Sequence, residues 1–176
     1  SLMGLFQKWN CPLVVFVEVA ELERIYQERS DQDIEAVFQQ IRELESQGHE
    51  IALHIHPQWY KARYQNGRWQ VDLSEYNLCS LPEERIREIV LGGVKFLRFI
   101  LRENDYMPIS FRAGNWLFQP TQPAARILYE YGVRIDSSVF KGGRFKSYGV
   151  DYRKAGRNGF FWRFWRDVAD DDPQGQ

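Results

Sequence analysis

The chain has 176 residues, 44% hydrophobic, 15% aromatic and 27% charged, the size and make-up of one globular domain spanning residues 1–176. Its 23 basic and 24 acidic side chains leave a net charge of -1, which provides no field to gather nucleic acid or an anionic membrane. Cys11 and Cys79 are too few for a disulfide framework, and the longest wholly apolar run, Leu13 to Val17, is far too short to span a bilayer. With no signal-peptide pattern ahead of that run, the chain reads as a cytoplasmic enzyme or binding domain.

In chain order, Leu5 to Trp9 reads as the end of a helix closed by Asn10 and Pro12. Leu13 to Val19 is β-branched and nearly all apolar, the pattern of a strand buried on both faces. From Asp31 to Gln47, Ile34, Val37, Phe38, Ile41 and Leu44 recur at helical spacing, and Gly48 follows where a helix-terminating glycine belongs. Glu50 to His56 is a second strand, stopped by Pro57. The polar and aromatic stretch from Trp59 to Cys79 is long for a connection and so marks a functional or disordered loop. Ser80 to Glu83 has the spacing of a capping box and opens a helix with Ile86, Ile89, Val90, Leu97, Ile100 and Leu101 on one face. Pro108 to Gly114 is a third strand. Thr121 is placed to cap a short helix through Tyr131 that Gly132 ends, and Val133 to Asp136 is a fourth strand. Lys141 to Gly143 and the tail from Asp170 onward punctuate the rest as the loosest stretches. The alternation predicts right-handed β-α-β crossovers and a parallel sheet, either doubly wound or closed as a barrel.

In such folds chemistry collects at the carboxyl ends of the strands. Here those ends carry Glu18 with Glu21 beyond it, His54 and His56, Arg112, and Asp136 with Ser137 and Ser138. His54 and His56 stand two residues apart, so on a strand both imidazoles point the same way and can reach one ion, zinc or another divalent transition metal. Two hydrogen-bonded structural histidines are the alternative, and His49 reads as structural. Arg112 suits bidentate grip on a carboxylate or a surface ion pair. Asp136 either positions a neighbour or caps the turn that follows, the simpler reading. Glu18, in an otherwise apolar strand, needs a partner or a solvent-facing end; emergence from the sheet accounts for it, and a ligand role is the alternative. Trp59, Tyr60, Tyr64, Trp69, Trp116 and Phe118 crowd the mouth as flat faces suited to sugar rings or to core packing. A second cluster, Phe160 to Trp165, is either a covered strand or an exposed patch for self-association.

At these residues the sequence resembles the polysaccharide deacetylases, the NodB-homology family of carbohydrate esterases. Gly48-His-Glu-Ile-Ala-Leu-His-Ile-His56 is similar to the segment leading into that family's histidine box, and Phe111-Arg-Ala-Gly-Asn-Trp116 resembles its Arg-x-Pro-x-aromatic groove motif. Gly132-Val-Arg-Ile-Asp-Ser-Ser138 resembles its Asp-Ser strand, and Cys11 to Val17 its second strand, so the likeness runs from Leu5 to Val139. The resemblance implies an α/β fold of the distorted (β/α) barrel type, here incomplete, that removes N-acetyl groups from an amino-sugar polymer or glycan. It implies a divalent metal, zinc in most members, held by an Asp and two His, with a second Asp as base oriented by the motif arginine and a later His as acid. His54 matches the first metal histidine; the second falls at Gln58, so His56 is its substitute. Arg112 matches the groove arginine with a catalytic role, Trp116 its aromatic, and Trp59, Trp116 and Asp136 become substrate-binding residues. Gly114 stands at the motif's proline. The family's Asp-Asp motif belongs before Leu5, and no histidine follows His56, so the resemblance also implies an incomplete, weakly active piece or a relative without catalysis. A non-catalytic carbohydrate-binding domain is the principal alternative. Another His-x-His hydrolase ranks below it, because such sites recruit later histidines.

Overall fold

Strand-helix alternation produces a four-stranded parallel sheet in the computed structural model, which describes residues 2–156, 160–172 and 174. After helix α1 (Leu2–Lys8), strand β1 (Val14–Glu18) runs directly into α2 (Val19–Glu28), followed by α3 (Ile34–Ser46) and β2 (Glu50–Ile55). A small antiparallel hairpin, β3 (Arg63–Gln65) and β4 (Arg68–Gln70), precedes the long helix α4 (Glu83–Leu101) and β5 (Ser110–Ala113). Helix α5 (Ala124–Glu130), β6 (Ile135–Asp136) and a second hairpin, β7 (Arg144–Phe145) with β8 (Val150–Asp151), complete the order. The main sheet is β1-β2-β5-β6, every pair parallel, so sequence order and spatial order coincide. Among the described residues no helix is long and apolar enough to cross a membrane.

Register divides the sheet into two faces because successive side chains alternate. Val17, Leu53, Phe111 and Asp136 form one row across the four strands. The first three of these are buried on the helix-covered face, where α4 packs so closely that a Cβ on Gly93 would stand 2.9 Å from Val19 Cγ2 and 3.2 Å from Ile55 Cδ1. Glu18, His54 and Arg112 form the adjacent row on the opposite face and are only half-buried. Tyr26, Phe38, Phe96 and Phe99 cement α2, α3 and α4 through ring contacts with centroids 5.2–6.2 Å apart.

The helix ends follow the local signals. Gly48 takes φ 84° while the Gly48 and His49 N–H groups donate to Glu45 O (2.9 Å) and Leu44 O (3.1 Å), and Gly132 closes α5 in the same way with φ 99°. Three expectations are corrected. Residues 19–28 are a helix that Leu22, Ile25 and Tyr26 announce at helical spacing, and β1 is an edge strand with only Val17 fully buried. The capping box at Ser80 does not form: Pro82 holds the cap position and Glu83 pairs with Arg126 at 2.5 Å. Thr121 does not cap α5 either, since its hydroxyl donates to Phe118 O and accepts from Val168 N.

The 59–79 stretch is ordered as short 3₁₀ turns around the β3–β4 hairpin, whose Asn66-Gly67 corner has two positive φ values, 52° and 73°, matching a two-residue hairpin turn. Phe160 to Trp165 forms no strand. Trp162 donates its indole N–H to Val168 O and Phe164 packs edge-on to Phe118, whereas Phe160, Phe161 and Trp165 stay exposed.

Candidate metal centre

Three donors converge where β1 and β2 end. Glu18, His54 and His56 each offer one ligand atom, and those atoms all lie within 4.8 Å of one another. Glu18 Oε2 is 2.6 Å from His56 Nδ1 and 3.9 Å from His54 Nε2, and the two rings meet at right angles with centroids 4.6 Å apart. The cause is register: Glu18 pairs with His54 across parallel strands, and His56, two residues on, returns to the same side.

Each donor is held by its own local structure. Glu18 is both the last residue of β1 and the N-cap of α2, its Oε1 accepting from Ala20 N (3.0 Å) and Glu21 N (3.2 Å), so only Oε2 faces the histidines. His54 donates Nδ1–H to Arg112 O at 2.7 Å, which leaves the Nε2 lone pair directed toward Glu18. Burial lowers the His54 pKa below its ordinary value, against the opposing pull of that bond and of Glu18, and so favours the neutral imidazole a metal requires. His56 Nε2 accepts from Asn115 N at 3.3 Å, placing its proton on Nδ1 beside Glu18. Glu21, next along α2, is pushed above the usual carboxylate range by burial and then by the charge of Glu18.

Arg112 adjoins this row. Its guanidinium lies over Phe16, 4.0 Å from the ring centroid, while Nε donates to Ser137 O (3.2 Å) and Nη2 to Ser137 Oγ (2.9 Å). Nη1 has no protein partner among the described residues. The loop after β5 is shaped by close contact: a Cβ on Gly114 would be 2.5 Å from Ile55 O and 2.8 Å from His56 Cα. Asn115 and Trp116 then take left-handed φ values of 57° and 56°, and Asn115 Nδ2 donates to Tyr76 O. Asn115, which ties this loop to His56, carries no sequence signal beyond standing after a glycine at a strand end.

The remaining sequence-derived sites are dispersed. Trp59 is half-buried and covered edge-on by Trp69 at 5.2 Å, with Tyr64 tilted against Trp69 in turn, whereas Trp116 is open to solvent. Asp136 sits in the row of Phe111, on the other side from the histidines, and acts as the turn reading expects: Oδ2 accepts from Ser138 N and Oδ1 from the Ser138 hydroxyl. It borders two cavities beside β6, of about 110 and 730 Å³, and neither is lined by the triad.

Burial raises Asp136 to about 6, against the Ser138 bonds and the Arg112 charge. A folded-state value above the unfolded 3.8 means the native protein binds the proton more tightly, so this contribution is full at low pH and is lost as pH rises through about 6. Removing the titration with Asp136→Asn is therefore expected to raise stability relative to wild type by on the order of 2–3 kcal/mol between about pH 3.5 and 7, read by urea melts at each pH. A pH-independent difference would refute the buried-carboxyl account.

Two imidazoles and one carboxylate, one imidazole already fixed by a backbone carbonyl, are the chemistry that a divalent transition ion takes. No protein-family model, curated protein or solved structure matches the chain.

Proposed function

We propose that this protein is a metal-dependent hydrolase that removes N-acetyl groups from an amino-sugar polymer, in the manner of the polysaccharide deacetylases its motifs resemble. The observation that carries the reading is the Glu18–His54–His56 cluster at the carboxyl ends of adjacent parallel strands, with Glu18 and His54 in one row with Arg112. A barrel segment is the fold that accompanies it. Strands added in sequence order, with right-handed crossovers, put their helices on one face and leave the other as a lumen, whereas a doubly wound sheet reverses its order.

Glu18 Oε2, His54 Nε2 and a His56 nitrogen would hold the ion, zinc being the best match to this donor set. When bound, a divalent ion would supply a Lewis acid for the amide carbonyl and a water of lowered pKa. Arg112 has its fork braced by Ser137 and Phe16, so its free Nη1 is a rigid donor for a substrate oxygen. Trp116 offers a ring face to the sugar. The proton between His56 Nδ1 and Glu18 Oε2 occupies the gap an ion would fill, so proton and ion compete.

Zinc titration by calorimetry tests the reading. Wild type is expected to bind one ion, and His54→Ala to lose that binding. Zinc-dependent acetate release from N-acetylated chitooligosaccharide should vanish in the same variant. Equal zinc binding by wild type and variant would overturn the site.

A further inference from the structure

We propose that the segment from Phe160 to Arg166, with the cleft it forms against β6, docks the protein onto an anionic phospholipid bilayer, its aromatic rings entering the interface and its cations meeting the headgroups. The overall charge of -1 conceals a strong asymmetry: residues 134–166 carry nine basic against two acidic side chains, and the rest of the chain 14 against 22. Burial alternates along the segment. Trp162 and Phe164 are drawn inward, onto Val168 O and the Phe118 ring, while Phe161, Arg163 and Trp165 face outward together. Phe161 is 97% exposed and Phe160 68%, and among the described residues neither ring, nor that of Trp165, rests on another aromatic.

The cleft of about 730 Å³ joins these residues to the edge of the main sheet: Phe160, Phe161 and Arg163 line it together with Arg134, Ile135 and Lys141. Trp165 lines the smaller cavity, which shares Arg134 and Ile135 with the cleft, so the surface is continuous. Its cations are uncompensated. Arg134 lies 3.8 Å over the Tyr129 ring and donates to Tyr129 O and Val133 O, and Lys141 donates to Arg153 O and Ala155 O. Among the described residues none of Arg134, Lys141 and Arg163 pairs with a carboxylate, whereas Arg85, Arg87, Arg126 and Arg153 all do. The one acid lining either cavity, Asp136, gives both oxygens to Ser138, and Asp170, Asp171 and Asp172 line neither. An apolar surface set among unpaired cations complements a bilayer, whose headgroups are negative and whose interior is hydrocarbon. A second copy of the chain is a poorer occupant, because a two-fold contact would bring two sets of these cations together. A nucleic acid would match the charge but offers no hydrocarbon layer to cover rings that project this far.

The inference needs neither the metal nor the hydrolase reading. The full chain is sedimented with vesicles of phosphatidylcholine alone and with about 30 mol% phosphatidylglycerol, at about 0.1 M and about 0.5 M salt. Binding is expected to the anionic vesicles only and to be lost at the higher salt. Arg163→Glu and the double variant Phe160→Ser/Phe161→Ser should each weaken it about tenfold or more, and His54→Ala should leave it unchanged. All three substituted side chains are exposed, so both variants should keep the circular dichroism and melting temperature of wild type. Absence of wild-type binding to the anionic vesicles overturns the inference, as does equal binding by the double variant with its fold intact. Tighter binding to oligothymidylate than to the vesicles overturns it in favour of a nucleic acid. A dimer in sedimentation equilibrium that the double variant dissolves overturns it in favour of a second copy.

Discussion

In Glu18→Gln, zinc affinity is expected to fall at least about 100-fold while the fold and its melting temperature stay close to wild type. The two oxygens of this carboxylate have separate duties: Oε1 caps α2 through Ala20 N and Glu21 N, and Oε2 faces His54 and His56. Glutamine keeps an acceptor for the cap and loses the charge at the histidines. Loss of an outer-shell partner of a metal site already costs about 10–100-fold in affinity, and a direct ligand costs more. Glu18→Ala should lose zinc equally and also about 1 kcal/mol of stability, because two N–H groups at the start of α2 are left without their acceptor. Calorimetry with zinc and urea melts without it resolve the two effects. If both variants bind zinc as wild type does, Glu18 is a cap and nothing more.

Gly114→Ala is the second large effect, expected to destabilise by about 3 kcal/mol, a drop of roughly 6–12 °C in Tm. The added methyl meets Ile55 O at 2.5 Å and His56 Cα at 2.8 Å, both of them backbone, which cannot rotate aside. Relief requires β2 and β5 to separate at the end where they are hydrogen-bonded, next to His56. The substitution should therefore also weaken zinc binding through the Asn115–His56 bond. Gly92→Ala is the control: it lies inside α4, its Cβ would meet only the Tyr60 hydroxyl at 3.7 Å, and a gain of about 0.5–1 kcal/mol is expected. Similar melting temperatures for Gly114→Ala and wild type would show that the strand ends are loose, and with them the placement of the histidines.

Much of this molecule is legible one residue at a time. Gly48 and Gly132 end their helices because only the local chain has to accept a positive φ, and His49 proves structural, accepting from Leu13 N at 3.1 Å. The pairing of His54 with His56 follows from the two-residue period of a strand. Helix α2 starts with no intervening loop on the strand's last residue, so although Leu22, Ile25 and Tyr26 keep helical spacing, the nearly all-apolar run Leu13 to Val19 reads through the junction as strand.

The sequence by itself therefore determined the strand-helix alternation, the helix stops and the shared direction of the two histidines, since each depends on backbone preferences within a few neighbouring residues. Tertiary structure decided the rest. Glu18 joins His54 because parallel register sets Val17 against Leu53 and Glu18 against His54, a pairing of residues 36 apart in the chain that no local pattern encodes. The same register sends Asp136 to the side of Phe111, away from the histidines, although a strand end carrying Asp-Ser-Ser looks like a site. Packing likewise separated Trp162 and Phe164, which are drawn against the core, from Phe160, Phe161 and Trp165, which remain outside. An aromatic residue's hydrophobicity is a property of its side chain, whereas whether it is covered depends on what the folded chain brings against it.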